Sequence, residues 1–222
     1  MTAEKLAATI DNTLLSPLAV GAEIDYLGEE TKKNGYATAV VHPYWVDFLR
    51  EKHPAIKICQ VINFPTGLSI SHVHTLAQVN KASDEYDMVI NLAMLREKKY
   101  KELVEEIKAL KAFVGPKIVK VIIESGVLTK DELYHAVAVV AESGADFVKT
   151  STGSLAQTDA QLIDQVEEIA HFINTHNSSL KIKASGGIKT WSLVRILLGL
   201  GVTRIGTSAA TRIVSEFKRG ER

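Results

Sequence analysis

Short apolar runs punctuated by turn residues alternate along the chain with stretches of helical period. The runs lie at 7–13, 36–42, 57–63, 86–91, 117–123, 146–150, 181–184 and 203–207, and contain segments such as Ala39-Val40-Val41, Gln60-Val61-Ile62 and Val119-Lys120-Val121-Ile122-Ile123. Runs of this length between turn residues predict parallel strands covered on both faces. The intervening stretches carry one apolar face each. From Thr158 to Asn174, Leu162, Ile163, Val166, Ile169, Ala170 and Ile173 share a helical stripe. Thr158 with Gln161, and Thr129 with Glu132, have capping-box spacing. The second pair opens a helix that Gly144 is placed to end, and the helix through Leu103, Ile107 and Leu110 stops at Gly115-Pro116.

Eight alternations predict an α/β protein with a closed TIM (β/α)8 barrel, as one domain over residues 1–222. The rival architecture is a doubly wound sheet. Its nucleotide-binding form calls for a glycine fingerprint after the first strand. The nearest match, Gly199-x-Gly201, precedes a strand and lacks the third glycine.

Composition narrows the function. Lys+Arg and Asp+Glu balance at 26 each, which argues against nucleic acid or an anionic membrane as the main partner. The single cysteine, Cys59, allows no intramolecular disulfide and points to a reducing compartment. The start, Met-Thr-Ala-Glu-Lys, has no apolar segment behind a basic one, and no run is long enough to span a bilayer. The expectation is a cytoplasmic protein.

In a barrel the loops after the strands build the active site, so polar residues inside strands or at their C-terminal ends carry the information. Lys149, in Phe147-Val148-Lys149-Thr150-Ser151-Thr152-Gly153, has two readings. Pointing inward, it loses hydration, its pKa falls, and it supplies the free amine that attacks a carbonyl. Pointing outward, it snorkels between helices. Lys183 shares a strand face with Lys181; facing inward it places a second ammonium near Lys149, and facing outward it is a surface lysine. Asp87 alternates with Val89 and Asn91 on one face, where a carboxylate needs a partner such as an inward lysine. Lys120 shares a face with Glu124, and the two read first as a structural ion pair and second as a second layer of the site.

Anion chemistry is placed at the end of the chain. Ser185-Gly186-Gly187 follows strand seven, and Gly206-Thr207-Ser208 follows strand eight ahead of a helix, where barrels often bind phosphate. Asp11 and Thr13 close the first strand and either meet a substrate hydroxyl or cap the next segment. His72-x-His74 has the look of a metal pair, but residues two apart on a helix do not face each other and no third ligand is evident. Cys59 reads as core, and Trp45 and Trp191 as helix-packing residues.

Taken together, the motifs resemble the deoxyribose-phosphate aldolase family. The matching stretches are Ile10-Asp11-Asn12-Thr13-Leu14, Val61-Ile62-Asn63-Phe64-Pro65-Thr66-Gly67, Asp87-Met88-Val89-Ile90-Asn91, Lys120-Val121-Ile122-Ile123-Glu124, the Lys149 to Gly153 segment, Lys183-Ala184-Ser185-Gly186-Gly187-Ile188 and Arg204-Ile205-Gly206-Thr207-Ser208. The resemblance implies that Lys149 forms a Schiff base with an open-chain 2-deoxyribose 5-phosphate, that Lys183 tunes the amine, and that Asp87 takes part in proton transfer. It places Thr152, Gly153, Gly186, Gly187, Gly206 and Ser208 at the phosphate, and Asp11 and Thr13 at substrate hydroxyls. It implies no metal and no organic cofactor, phosphorylated sugar and aldehyde as small-molecule partners, and a homodimer or higher oligomer. The chain departs from the family's pattern at Ser83-Asp84, His42, Asn63, Ala93-Met94 and Ser154, positions that bear on substrate preference and turnover. An isomerase or epimerase on a phosphate-binding barrel, and a barrel that only binds a sugar phosphate, are the competing readings.

Overall fold

Eight parallel strands close on themselves in chain order. The computed structural model describes residues 1–220. The strands are β1 (Ile10–Thr13), β2 (Thr38–Val41), β3 (Ile58–Ile62), β4 (Glu85–Val89), β5 (Ile118–Ile122), β6 (Phe147–Lys149), β7 (Lys181–Ser185) and β8 (Arg204–Thr207). Around them run α1 (Ala3–Ala7), α2 (Gly21–Asn34), α3 (Val46–Lys52), α4 (His72–Ala77), α5 (Leu92–Arg96), α6 (Tyr100–Val114), α7 (Lys130–Glu142), α8 (Asp159–Thr175), α9 (Trp191–Gly199) and α10 (Ala210–Gly220). The TIM barrel expected from the sequence is the fold, and each predicted run overlaps a strand, with β4 starting one residue before its run and β7 ending one residue after.

Period-two alternation gives the barrel wall two surfaces. Outward, Ile10, Ile62, Tyr86, Met88, Val121, Val148, Ile182 and Ile205 are buried against helix residues such as Leu103, Ile107, Leu133, Val137, Val166, Ile169, Leu197 and Ile213. Inward, the register sets Asp11 beside Gly206, Asp87 beside Lys120, Ile122 beside Lys149, and Lys149 beside Lys183. The helices end as their residues dictate. In α7 and α8 the threonines Thr129 and Thr158 accept from the third helical N–H, and Glu132 and Gln161 bond back to complete both capping boxes.

Three local expectations need correction. The first strand starts at Ile10, not at residue 7, because Thr2 caps a short helix whose last residue is Ala7. Asn91 does not continue the Asp87–Val89 face; β4 ends at Val89, and Asn91 caps α5, its Oδ1 accepting from Met94 N at 3.1 Å. Lys120 and Glu124 do not pair. Glu124 takes a left-handed φ of 50° beyond the end of β5, and its Oε1 accepts from Thr152 N at 2.6 Å instead.

Candidate active site

Three lysines, two aspartates, a glutamate and an arginine project into the barrel. Inside a TIM barrel this layer is usually filled by branched apolar side chains, and here each charge must be matched to stay buried. Asp87 is the hub. Its Oδ2 accepts from Lys149 Nζ at 2.7 Å and from Lys183 Nζ at 2.6 Å, while its Oδ1 accepts from Lys120 Nζ at 2.9 Å. The Cys59 thiol also donates to Oδ1, at 3.2 Å. One layer lower, Lys120 Nζ lies 2.7 Å from Glu85 Oε2. Among the described residues no buried side-chain nitrogen or oxygen lacks a partner, as expected of a closed polar network.

The surroundings set the protonation states. Burial works against Lys149's ammonium, Asp87 attracts it, Lys183 repels it, and the balance holds the amine below the usual lysine range. For Lys183 burial is outweighed by Asp11 and Asp87, which hold it above that range. Lys120 is raised in the same way, against burial, by Asp87, Cys59, Asp11 and Glu85. Burial alone would raise the Asp87 carboxyl, but Lys120, Lys149 and Lys183 keep it well below the ordinary carboxylate range. Cys59 is pushed up by burial and then by Asp87, so it remains a thiol.

Above this network, at the C-terminal ends of the strands, opens a cavity of about 520 Å³. Lys149 reaches its floor, and Thr13, Thr152, Gly153, Gly186, Gly187 and Ser208 are among its walls. Gly153, Gly186 and Gly187 all have positive φ, of 89°, 93° and 77°, a backbone that L side chains rarely adopt. A Cβ on Gly186 would fall 2.7 Å from Gln157 Nε2, whose amide donates to the carbonyls of Ser185 and Gly186. Two further bonds lock the loops together: Thr150 Oγ1 donates to Ser185 O at 3.0 Å and Ser185 Oγ donates to Ser151 O at 2.6 Å. The result is a rigid cradle of small residues beside the amine.

The structure thus brings together Lys149, Lys183 and Asp87, and sets eight of the other named positions in or beneath one cavity. Gly206 both lines the cavity and leaves room for Lys183, since a Cβ there would lie 3.0 Å from the lysine's Cε. Asp11 is not on the cavity surface. It is fully buried under it, its Oδ1 accepting from Thr38 Oγ1 at 2.8 Å and from Arg204 Nη1 at 2.6 Å. Its inward place on β1 makes it a network carboxylate, both oxygens of which accept from side chains of the barrel interior. Thr13 lines the cavity, with its hydroxyl donating to Asp11 O at 2.9 Å.

Glu85, Arg204 and Gln157 were missed as members of the site. For the first two a signal existed: Glu85 and Arg204 share the strand parity of Asp87 and Gly206. Gln157 lies in a loop and had none. The family departures find structural partners: Asp84 Oδ2 accepts from Arg50 Nη2 at 2.6 Å and from Ile58 N at 2.8 Å, and Asn63, at a left-handed φ of 55°, donates its backbone N–H to Gln78 Oε1 at 2.8 Å while its Oδ1 accepts from Gln78 Nε2 at 2.6 Å.

Residues 30–197 match the DeoC/LacD family aldolase. The chain belongs to this family. It is 36% identical over 217 residues, covering 95% of this chain and 96% of the relative, to a deoxyribose-phosphate aldolase from Dictyoglomus turgidum. A second deoxyribose-phosphate aldolase, from Caldanaerobacter subterraneus subsp. tengcongensis, is 36% identical over 223 residues, or 96% of this chain and 94% of that one. Among solved structures, the tetrameric deoxyribose phosphate aldolase of Aeropyrum pernix superposes with a TM-score of 0.86 at 29% identity, over 98% of this chain and 92% of that chain. The protein is therefore an aldolase, a carbon–carbon lyase, and the isomerase and binding-only readings fall away.

Proposed function

We propose that this aldolase cleaves 2-deoxy-D-ribose 5-phosphate reversibly to D-glyceraldehyde 3-phosphate and acetaldehyde through a Schiff base on Lys149. The observation that carries the reading is the pairing of a buried amine of lowered basicity with a glycine-walled cradle in one cavity. Lys149 Nζ attacks the C1 aldehyde, and loss of water leaves an iminium. Removal of the C3 hydroxyl proton breaks the C2–C3 bond, and its electron pair flows into the iminium to give an enamine. Protonation at C2 and hydrolysis return acetaldehyde and the free amine. The iminium is itself the electron sink, so the reading calls for no metal or organic cofactor. Asp87 Oδ2, shared by Lys149 and Lys183, is positioned to relay protons to and from Lys149 Nζ. Gly153, Gly186 and Gly187 offer backbone approach to the phosphate, with Thr152, Ser208 and Thr13 beside them.

We read residues 1–222 as one catalytic unit acting in the cytoplasm as a homo-oligomer. The tetrameric Aeropyrum pernix relative supports the assembly, and the free, buried cysteine suits a reducing compartment. No helix among the described residues is long and apolar enough to cross a membrane.

The test is borohydride reduction in the presence of 2-deoxyribose 5-phosphate or acetaldehyde, followed by peptide mass mapping. An adduct on Lys149 is expected. Folded protein that forms no adduct, or forms it at another lysine, overturns the assignment.

A further inference from the structure

The charged side chains inside the barrel form a closed ring with one residue left over. Arg204 Nη1 donates to Asp11 Oδ1 at 2.6 Å. Asp11 Oδ2 accepts from Lys183, which also donates to Asp87 Oδ2 at 2.6 Å. Asp87 Oδ1 accepts from Lys120 at 2.9 Å, and Lys120 Nζ lies 2.7 Å from Glu85 Oε2. Glu85 Oε1 returns to Arg204 Nη2 at 3.3 Å. The sign alternates at every step, so three cations and three carboxylates neutralise one another. Lys149 is the seventh ionisable group and touches the ring at one oxygen only, Asp87 Oδ2.

We propose that this ring keeps Lys149 as the free amine because it is already neutral without it, and that Glu85 and Arg204 act as positioning residues that set the nucleophile's charge from the opposite end of the barrel. The inference rests on the reading of Lys149 as the imine-forming amine. Neither Glu85 nor Arg204 is on the cavity surface or within hydrogen-bond reach of Lys149. Their influence passes through a low-dielectric interior, where a unit charge is felt over several ångströms. Asp87 of β4, Lys183 of β7 and Cys59 of β3 act on Lys149 directly, and Lys120 of β5, Glu85 of β4, Asp11 of β1 and Arg204 of β8 surround those groups in the barrel interior. Glu124 and Lys189 border the loops above.

The ring makes a prediction with two opposite signs. Glu85→Gln leaves the ring one positive charge in excess, which disfavours a further cation and moves the Lys149 titration to lower pH. Arg204→Gln leaves one negative charge in excess, which favours the ammonium and moves it to higher pH. Each shift is expected at about one pH unit. The double variant Glu85→Gln/Arg204→Gln restores neutrality and brings the midpoint back towards wild type. The readout is the rate of acetaldehyde adduct formation on Lys149 under cyanoborohydride as a function of pH, located by mass mapping. Arg204→Lys keeps the charge and is expected to leave the midpoint in place. If Arg204→Gln does not fold, Glu85→Gln and Arg204→Lys carry the test, with a shift in the first and none in the second. Adducts that form with coincident midpoints, or single variants that shift in the same direction, overturn the ring while the Schiff-base reading stands. A wild-type protein that forms no adduct on Lys149 overturns both.

Discussion

The two faces of the barrel wall carry opposite chemistry on the same strands. In β4, Tyr86 and Met88 point outward into an apolar core, while Glu85 and Asp87 point inward to three lysines and an arginine. Both faces are buried. The outward face is held by area removed from water, at roughly 25 cal/mol per Å², and tolerates any side chain of suitable volume. The inward face is held by matched charges, each costly to bury alone. Apolar packing and charge chemistry are thereby separated by a single residue step along the strand.

The comparison breaks most sharply at the amine. Lys149→Ala is expected to lower aldol cleavage by at least about 10³-fold and to abolish adduct formation, because no neighbouring amine of lowered basicity takes its place. Steady-state kinetics with mass mapping checks both.

Asp87→Asn removes the carboxylate shared by three lysine side chains. Breaking a buried pair in this way is expected to cost about 3–5 kcal/mol, read from the urea midpoint. The same carboxylate gives an acid dependence whose sign is fixed. Asp87 and Asp11 are depressed in the fold, Asp11 because Lys183, Lys120 and Arg204 outweigh the raising effect of burial. Their contribution is therefore fully present above the unfolded carboxyl value of about 3.9 and is lost as pH falls towards the folded values. Wild-type stability should drop steeply below about pH 4, and Asp87→Asn should flatten part of that drop.

Met88→Ala, one residue along and on the other face, should cost about 2–5 kcal/mol by leaving a cavity. It should leave the pH midpoint of Lys149 adduct formation unmoved. A shifted midpoint would mean that the two faces are not separate. Thr129→Ala should have the smallest effect, about 1 kcal/mol from the lost cap of α7, with unchanged kinetics.

How much of this could be read in advance follows from the same contrast. The eight-unit barrel was legible because apolar runs and helical stripes are local and periodic. Lys149, Lys183 and Asp87 stood out as candidates because charge within an apolar strand is costly and so conspicuous, and their proposed roles came from the family resemblance. Their orientation was not legible: Lys149 and Lys183 read equally as surface lysines until closure turned their parity inward. Glu85 and Arg204, 119 residues apart in the chain, show nothing of their pairing in their own segments.

The order of elements, the wall of the barrel and the glycine turns were therefore determined by the sequence alone, through periodicity, and the sequence motifs named Lys149 as candidate nucleophile by family resemblance. Only the tertiary structure decided which charges meet. It sent Lys120 to Asp87 and Glu85 instead of Glu124, drew Asp11 below the cavity, and closed six charges into a neutral ring. The physical reason is that hydrophobic patterning acts between near neighbours in sequence, while the pairing of buried charges depends on distances that exist only once the barrel has closed.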